Sequence, residues 1–478
     1  MPRSTPARRT LHSTAILVAC AALALTACRE APAPDAREPA EPGVTPAAPT
    51  PADPAPPSTQ PLVLAVHPTR GAPSVDRRTA EDLVAGRVRR WVRVDGRDRP
   101  LRFHRVETAR RARTLLARDT GAVVGVPLRR LGPWARAIRV AGIDPVRRPK
   151  HYPLRTDGRV SGPVVTVRVV GDVMLGRRVG DRARTAGDPI APLRPMAGFL
   201  RGADLTVATL ESTLSDDGPP QQGGDSFAAP PEVLAGLHRV GVDALSLANN
   251  HTGDYGEGAL LATLDAVAES PVRGFGAGRD LAEASRGTVL RRHGLRVALL
   301  GFNAIGETPL ATPSAPGALS VRMPPRTGPL VASDLDHVAR RVRALAADAD
   351  VVVVLPHWGT QYTHEAEPVQ SHVARRLVRA GADLVVGGHP HWVQGLELHR
   401  GAVIAHSLGN YVFDMDFMEQ TQEGVGLTAT FHGDRLVDVR LTPYRIGPDF
   451  APRRLAGAAA EAVLDDVWRH STGPFARP

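Results

Sequence analysis

Cysteine is nearly absent from this chain of 478 residues: there are two, Cys20 and Cys28, both close to the N-terminus. Cys20 falls inside a segment that reads as a removable signal. No disulfide is then available, and stability must come from packing. Lysine is scarcer still. Lys150 is the only one, so the formal net charge of +10 rests on arginine. Aromatics make up 4%, and no basic run is interleaved with them, which leaves bases little to stack on. The arginines therefore read as a solvated basic surface without a nucleic-acid partner, a surface compatible with anionic lipids or cell-wall polymers. Also missing is an apolar run long enough to span a bilayer as a mature helix, since the stretch from Ala15 to Ala27 is too short.

What is present begins with targeting. Arg3, Arg8 and Arg9 precede that apolar stretch, which ends in Leu25-Thr26-Ala27-Cys28. Small residues before a cysteine match a bacterial lipoprotein signal over 1–28, with lipidation at Cys28 and an extracytoplasmic, membrane-anchored product. A plain secretory signal cut near Ala27 is the competing reading. Residues 29–60 are rich in Pro and Ala and read as a disordered, semi-extended tether, able at about 3 Å per residue to hold the folded part off a membrane.

A small accessory domain is expected over 61–155. Its parts are an apolar strand at Leu62–Val66, a helix from Thr79 to Trp91 opened by Thr79 with Asp82 three residues on, and a strand near Ala122 to Val126. It resembles a fragment of a phosphate-type solute-binding protein. His67 and His104 stand alone in it, without metal-ligand spacing. From 161 to 455 short apolar runs alternate with amphipathic segments, the signature of an α/β fold with strands buried on both faces. A helix and tail close the chain over 456–478.

In such folds ligands gather at the carboxyl ends of strands. Here those ends carry Asp172, Glu211, the pair Asn249-Asn250 with His251, then His357, His389 and His391. Singly, each has an ordinary reading as a cap, a turn residue or a core histidine. Together, at one predicted edge, they read as one polar site. The set offers nitrogen and oxygen donors and no thiolate, which suits Mn²⁺, Fe²⁺ or Zn²⁺. In "GGHPHW", Gly387 and Gly388 permit close backbone approach, and Pro390 bars His389 from helical conformation. In an extended chain, positions i and i+2 face one side, so His389 and His391 are expected to aim together.

The ordered motifs "GDVMLGR", "LEST", "ANNHTGDYG", "PHWGTQY", "GGHPHWVQGLE" and "HSLGNYVFD", over roughly 164–445, resemble the CapA family of poly-γ-glutamate capsule biosynthesis, relatives of the calcineurin-like metallophosphoesterases. The resemblance implies a four-layer sandwich, two mixed β-sheets flanked by helices, with one or two divalent ions at the strand ends. Asp172, Glu211 and His391 would hold the first ion. Asn250, His357 and His389 would hold the second, with Glu211 bridging. His251 would be the general acid, oriented by Asp254, and Arg177 and Arg178 would contact substrate. The implied partners are an anionic polymer or phosphorylated envelope precursor and other capsule-synthesis membrane proteins. Two positions depart from the pattern. Met174 stands where phosphoesterases carry a metal-ligating histidine, and Gln361 stands where the family has an acid. A single ion, a weakly held second ion, or a site that binds without turnover are the open outcomes. Function accordingly divides between a metal-dependent phosphoesterase-type hydrolase and a non-catalytic, metal-containing assembly or export factor that binds an anionic polymer. A third reading puts the same site to work on an amide of the polymer.

Overall fold

The computed structural model describes residues 58–477, apart from 71–73, 88–89, 92–98, 101, 120 and 161. The signal, Cys28 and all but the end of the tether lie outside these residues. The main body is two mixed β-sheets stacked face to face. Along one sheet the strands run Arg273–Phe275, Ala244–Ser246, Leu205–Leu210, Val164–Val173, Glu423–His432, Arg435–Ile446 and Pro452–Arg454, with Asn410–Val412 also pairing to Val164–Val173. Along the other the order is Thr288–Arg292, Leu295–Asn303, Val351–His357, Leu384–Val386, Ala402–Ala405 and Leu396–His399. The first four strands of the one sheet are mutually parallel, as are Leu295–Asn303, Val351–His357, Leu384–Val386 and Ala402–Ala405 of the other.

The period of two in the strands sorts side chains between layers. Val165, Val167 and Val169 face the same inter-sheet core as Val297, Leu299, Val351 and Val353. Their neighbours point the other way. Ala298, Leu300, Val352 and Val354 meet the helices Ala332–Asp348 and Pro368–Ala380. Ala208 and Leu210 meet the helices Val233–Val240 and Gly256–Glu269. Each fully buried aliphatic side chain stabilises the fold by about 1.5–3 kcal/mol, and both faces of these strands collect it, which is why they read as continuous apolar runs. The result is the expected four-layer sandwich. The C-terminal helix, Gly457–Arg469, closes one end by placing Val463, Val467 and Trp468 in the inter-sheet core.

A smaller sheet precedes the sandwich, in the order Arg102–Arg105, Ala122–Pro127, Thr59–Val66, Arg136–Ala137, with Arg155–Asp157 pairing to the start of Thr59–Val66. The helix expected from Thr79 runs instead from Arg77 to Val84. Asp76 is its cap, accepting the Thr79 N–H at 2.8 Å, so Thr79 lies inside the first turn, where its side chain cannot serve as the cap. The small sheet seals one face with Val437 of the sandwich. Across the same seam Arg440 pairs with Asp144 at 2.7 Å and with Asp438 at 2.6 Å, while His432 Nε2 donates to the Val146 carbonyl at 2.7 Å.

Candidate metal centre

Five strand ends and the turns after them converge on one buried point. Asp172 lies where Val164–Val173 shifts register against its neighbour. Its Oδ2 accepts the His389 N–H at 2.9 Å. A Cβ at Gly388 would strike the Asp172 carboxylate, so the glycine is what lets this turn close on it. Glu211 follows Leu205–Leu210 and is fully buried, with no hydrogen-bond partner on either carboxylate oxygen. One oxygen each of Asp172 and Glu211 and a ring nitrogen of His391 lie within 4.8 Å of one another. Glu211 also faces the histidines on its other side: Oε1 is 3.6 Å from His357 Nε2 and Oε2 is 3.8 Å from His251 Nε2. The rings of His357 and His389 are 5.1 Å apart, and those of His389 and His391 are 5.7 Å apart.

His389 and His391 reach this point by a route other than the extended one expected. Their φ values are +93° and +59°, so the segment turns through left-handed backbone on both sides of Pro390. Two non-glycine residues held there mark a site whose surroundings over-determine the backbone. Asn410 then fixes the ring of His391. Asn410 Nδ2 donates to the Thr421 carbonyl at 2.9 Å, so Oδ1 is the acceptor that takes the His391 Nδ1–H at 2.8 Å. That leaves Nε2 of His391 with its lone pair for the cluster, the outer support that metal-bound histidines require.

His251 is held as firmly. Asp254 Oδ2 accepts its Nδ1–H at 2.8 Å, Asn249 Oδ1 accepts its backbone N–H at 2.9 Å, and Phe227 stacks on the ring at 4.0 Å. Asp254 also accepts the Phe227 N–H at 2.7 Å. Asn250 places Nδ2 2.9 Å from His251 Nε2, and its own Oδ1 is buried without a partner. Asn249, by contrast, is structural, donating to the Leu210 carbonyl at 2.7 Å. Arg177 lies over the Phe227 ring at 4.4 Å, bonded to the buried Asp414 and 3.2 Å from Asp225. Arg178, expected beside it as a substrate contact, turns to Asp416 at 2.7 Å and over Phe450 at 5.0 Å.

The electrostatics are those of a site built around an added positive charge. Burial pushes Asp172 up to about 6, and burial together with the Asp172 charge pushes Glu211 well above the carboxylate range. Burial holds His357 and His389 well below the imidazole range, and lowers His391 to about 4 despite its bond to Asn410. Both ring nitrogens of His357, Nδ1 of His389, Oδ1 of Asn250 and both oxygens of Glu211 are buried without partners. Orphaned polar groups at this density are costly unless a ligand satisfies them. Neutral imidazoles, carboxylates and an amide oxygen fit a divalent ion. Met174 is fully buried and accepts the Gly176 N–H on Sδ at 3.0 Å, so its thioether belongs to the core beside the site.

The sequence reading had no role for Asn410, Asp414, Phe227 or Gln222, whose Nε2 donates to the Asn250 carbonyl at 3.0 Å. The signal for the first two was in "HSLGNYVFD", where an Asn and an Asp follow a strand end. Phe227 and Gln222 come from an irregular loop with no such pattern.

The family model described as "Bacterial capsule synthesis protein PGA_cap" matches residues 166–415, a span that contains every residue of the cluster. The capsule biosynthesis protein CapA of Bacillus anthracis is 32% identical over 255 residues, covering 52% of this chain and 60% of that protein. The PGA biosynthesis protein CapA of Bacillus subtilis is 30% identical over 259 residues, covering 53% and 64%. This chain thus spans less than two thirds of either. A probable polyglutamine synthesis accessory protein of Mycobacterium tuberculosis is 29% identical over 325 residues, covering 58% and 80%. Among solved structures, a phosphatase from Mycoplasma pneumoniae aligns over 59% of this chain and 94% of its own, with 11% identity and a TM-score of 0.38.

Proposed function

The chain belongs to the bacterial capsule synthesis protein PGA_cap family, and from that premise we propose that it is an extracytoplasmic, metal-dependent hydrolase of the phosphoesterase type. Its proposed substrate is a phosphorylated precursor of a capsule or cell-envelope polymer. The observation that carries the reading is the convergence of six buried nitrogen and oxygen donor residues, most with an unpartnered donor atom, beside a histidine held by a carboxylate. Asp172, Glu211, Asn250, His357, His389 and His391 would hold a divalent ion, which would supply Lewis acidity toward a phosphoryl oxygen and a more acidic water.

The chain's own residues do the rest. Asp254 fixes the proton of His251 on Nδ1, so Nε2 is the nitrogen turned to the cluster. Nε2 lies 2.9 Å from Asn250 Nδ2 and 3.8 Å from Glu211 Oε2; to act as the acid the ring gives up the Asn250 contact and takes a proton at Nε2, which passes to the leaving oxygen. Phe227 keeps the ring from rotating and shields it from water. Arg177, positioned by Asp414, lies over the same Phe227 ring and balances charge on the phosphoryl group. No helix among the described residues is long and apolar enough to cross a membrane, and attachment through lipidated Cys28 is part of the proposal. Cys28→Ser should release the protein from the membrane fraction.

The test is hydrolysis of p-nitrophenyl and bis-p-nitrophenyl phosphate by the purified protein with Mn²⁺. Activity that disappears in His251→Ala and His391→Ala supports the enzyme. The burial of Met174 where a ligand is expected favours a second reading, a non-catalytic assembly factor whose metal organises the site. No turnover with any divalent ion, joined to metal-dependent polymer binding, would decide for it.

A further inference from the structure

The segment that follows Asn410–Val412 carries side chains the metal centre does not use. Phe413 meets the His391 ring edge-on at 5.2 Å, Asp414 holds Arg177, and Asp416 takes Arg178 at 2.7 Å. Phe417 and Met418 come next, and they turn outward: Phe417 is 59% exposed and Met418 39%. Among the described residues, the other large apolar side chains left exposed are Val289 and Leu310. Exposed apolar residues are ordinary when scattered singly. Two in succession, on the segment that walls a buried polar centre, call for a reason. Their exposure is not the slack of a loose loop. The Thr421 hydroxyl lies 2.7 Å from the carbonyls of both Met415 and Met418, which pins the turn on either side of Phe417.

Phe417 packs on Tyr362, with ring centres 5.6 Å apart and planes at 85°. Tyr362 in turn stacks beside His391, at 6.0 Å and 27°. Its backbone is held at φ +62°, a left-handed conformation that bulky residues rarely adopt, and its N–H donates to the Pro390 carbonyl at 2.9 Å. Strain of this kind persists only where the surroundings impose it, and it gathers at ligand sites. Burial, then the charges of Asp225 and Glu211, raise the Tyr362 phenol above its ordinary range, and Arg177 opposes them. The side chain therefore lies between the cluster and Arg177, at the entry that a phosphoryl group would use. Two rings at a right angle, the outer one mostly exposed, make an apolar corner there. Arg177 serves the charged part of a ligand, and the corner serves the part that carries no charge. A flat ring joined to the ester oxygen can lie against Phe417 as one rigid unit. A flexible aliphatic chain must first be ordered and gains less.

We propose that Phe417 and Tyr362 form a leaving-group subsite beside the metal centre, and that the substrate is a phosphoester whose leaving group presents a flat apolar ring face next to the ester oxygen. This rests on the phosphoesterase-type reading above. The test reads binding and needs no turnover. Methylphosphonate, n-butylphosphonate and phenylphosphonate share one anionic head, contain no ester to cleave and differ in what they offer the corner. Their dissociation constants follow from broadening of the phosphorus resonance by the Mn²⁺-loaded full chain, at a pH where all three are dianions. Phenylphosphonate should bind about tenfold tighter than methylphosphonate, with butylphosphonate closer to methyl. Phe417→Ala should bring the phenyl-to-methyl ratio near one by loss of phenyl affinity, with the melting temperature unchanged as the control on folding. Tyr362→Phe keeps the ring and should keep the ratio. Equal affinity for methyl and phenyl would overturn the subsite alone. So would butyl binding as tightly as phenyl, or a ratio that survives Phe417→Ala. Mn²⁺-loaded protein that binds none of the three would overturn the subsite together with the phosphoesterase-type reading.

Discussion

The two ends of the six-stranded sheet are made from opposite materials. At the carboxyl ends stand His357 and His389, buried and with unpartnered ring nitrogens, facing Glu211 across from the other sheet. At the amino ends stand Arg400 and, across the seam, Arg113, Arg129 and Arg130, all exposed. The difference lies in what water can do. An unpartnered group at the surface is solvated and costs the fold little, so it marks at most a place where an anion would be welcome. An unpartnered group in the interior destabilises the fold by several kcal/mol, so six such atoms, on Glu211, Asn250, His357 and His389, together imply a ligand that the folded chain is built to receive.

Four perturbations sharpen this contrast. The largest effect is expected at the carboxyl ends: His251→Ala should lower kcat on a phosphoester by roughly 10²–10⁴-fold, with metal content by elemental analysis unchanged. Next is the seam itself. Asp438 is buried between Arg440, at 2.6 Å, and the buried Arg136, which burial lowers to about 10. Asp438→Ala strands the buried Arg136, leaves Arg440 with Asp144 alone, and should cost about 3 kcal/mol in denaturant unfolding. Third is a pH effect in the small sheet. Burial, with Arg70 nearby, lowers His67 from 6.5 to about 4. Its neutral form is favoured in the fold, so the stability it permits is complete above pH 6.5 and is lost as the pH falls toward 4. Unfolding at pH 7 and pH 5 should differ by roughly 2 kcal/mol from this group, and His67→Gln should remove that part. The smallest is Arg130→Glu, which should change stability in denaturant unfolding by less than about 0.5 kcal/mol.

Much of the carboxyl-end site could be read from the chain alone, for a physical reason. Strands buried on both faces become apolar runs, the runs end abruptly, and a Glu, an Asn or a His at such an end has few other uses. Asp172, Glu211, Asn250, His357, His389 and His391 were all visible in this way. What stayed hidden depends on the fold rather than on local pattern. The left-handed turn at His389 and His391 is imposed by contacts with Asp172 and Asn410, over a hundred residues away in the case of Asp172. Asp76, three residues earlier, takes the place of Thr79 as the helix cap. The departure of Arg178 toward Asp416, and the basic cleft at the seam, lined by residues from five separate stretches of chain, follow from packing that no periodicity records.

Everything at the carboxyl ends turns on an ion being there. The most direct measurement is anomalous diffraction from crystals of the purified protein soaked in Mn²⁺, with elemental analysis of the same preparation. The account predicts one or two strong peaks bounded by Asp172, Glu211, Asn250, His357, His389 and His391, lost in Asp172→Ala. Protein that stays metal-free after loading, with no peak among these side chains, would contradict it.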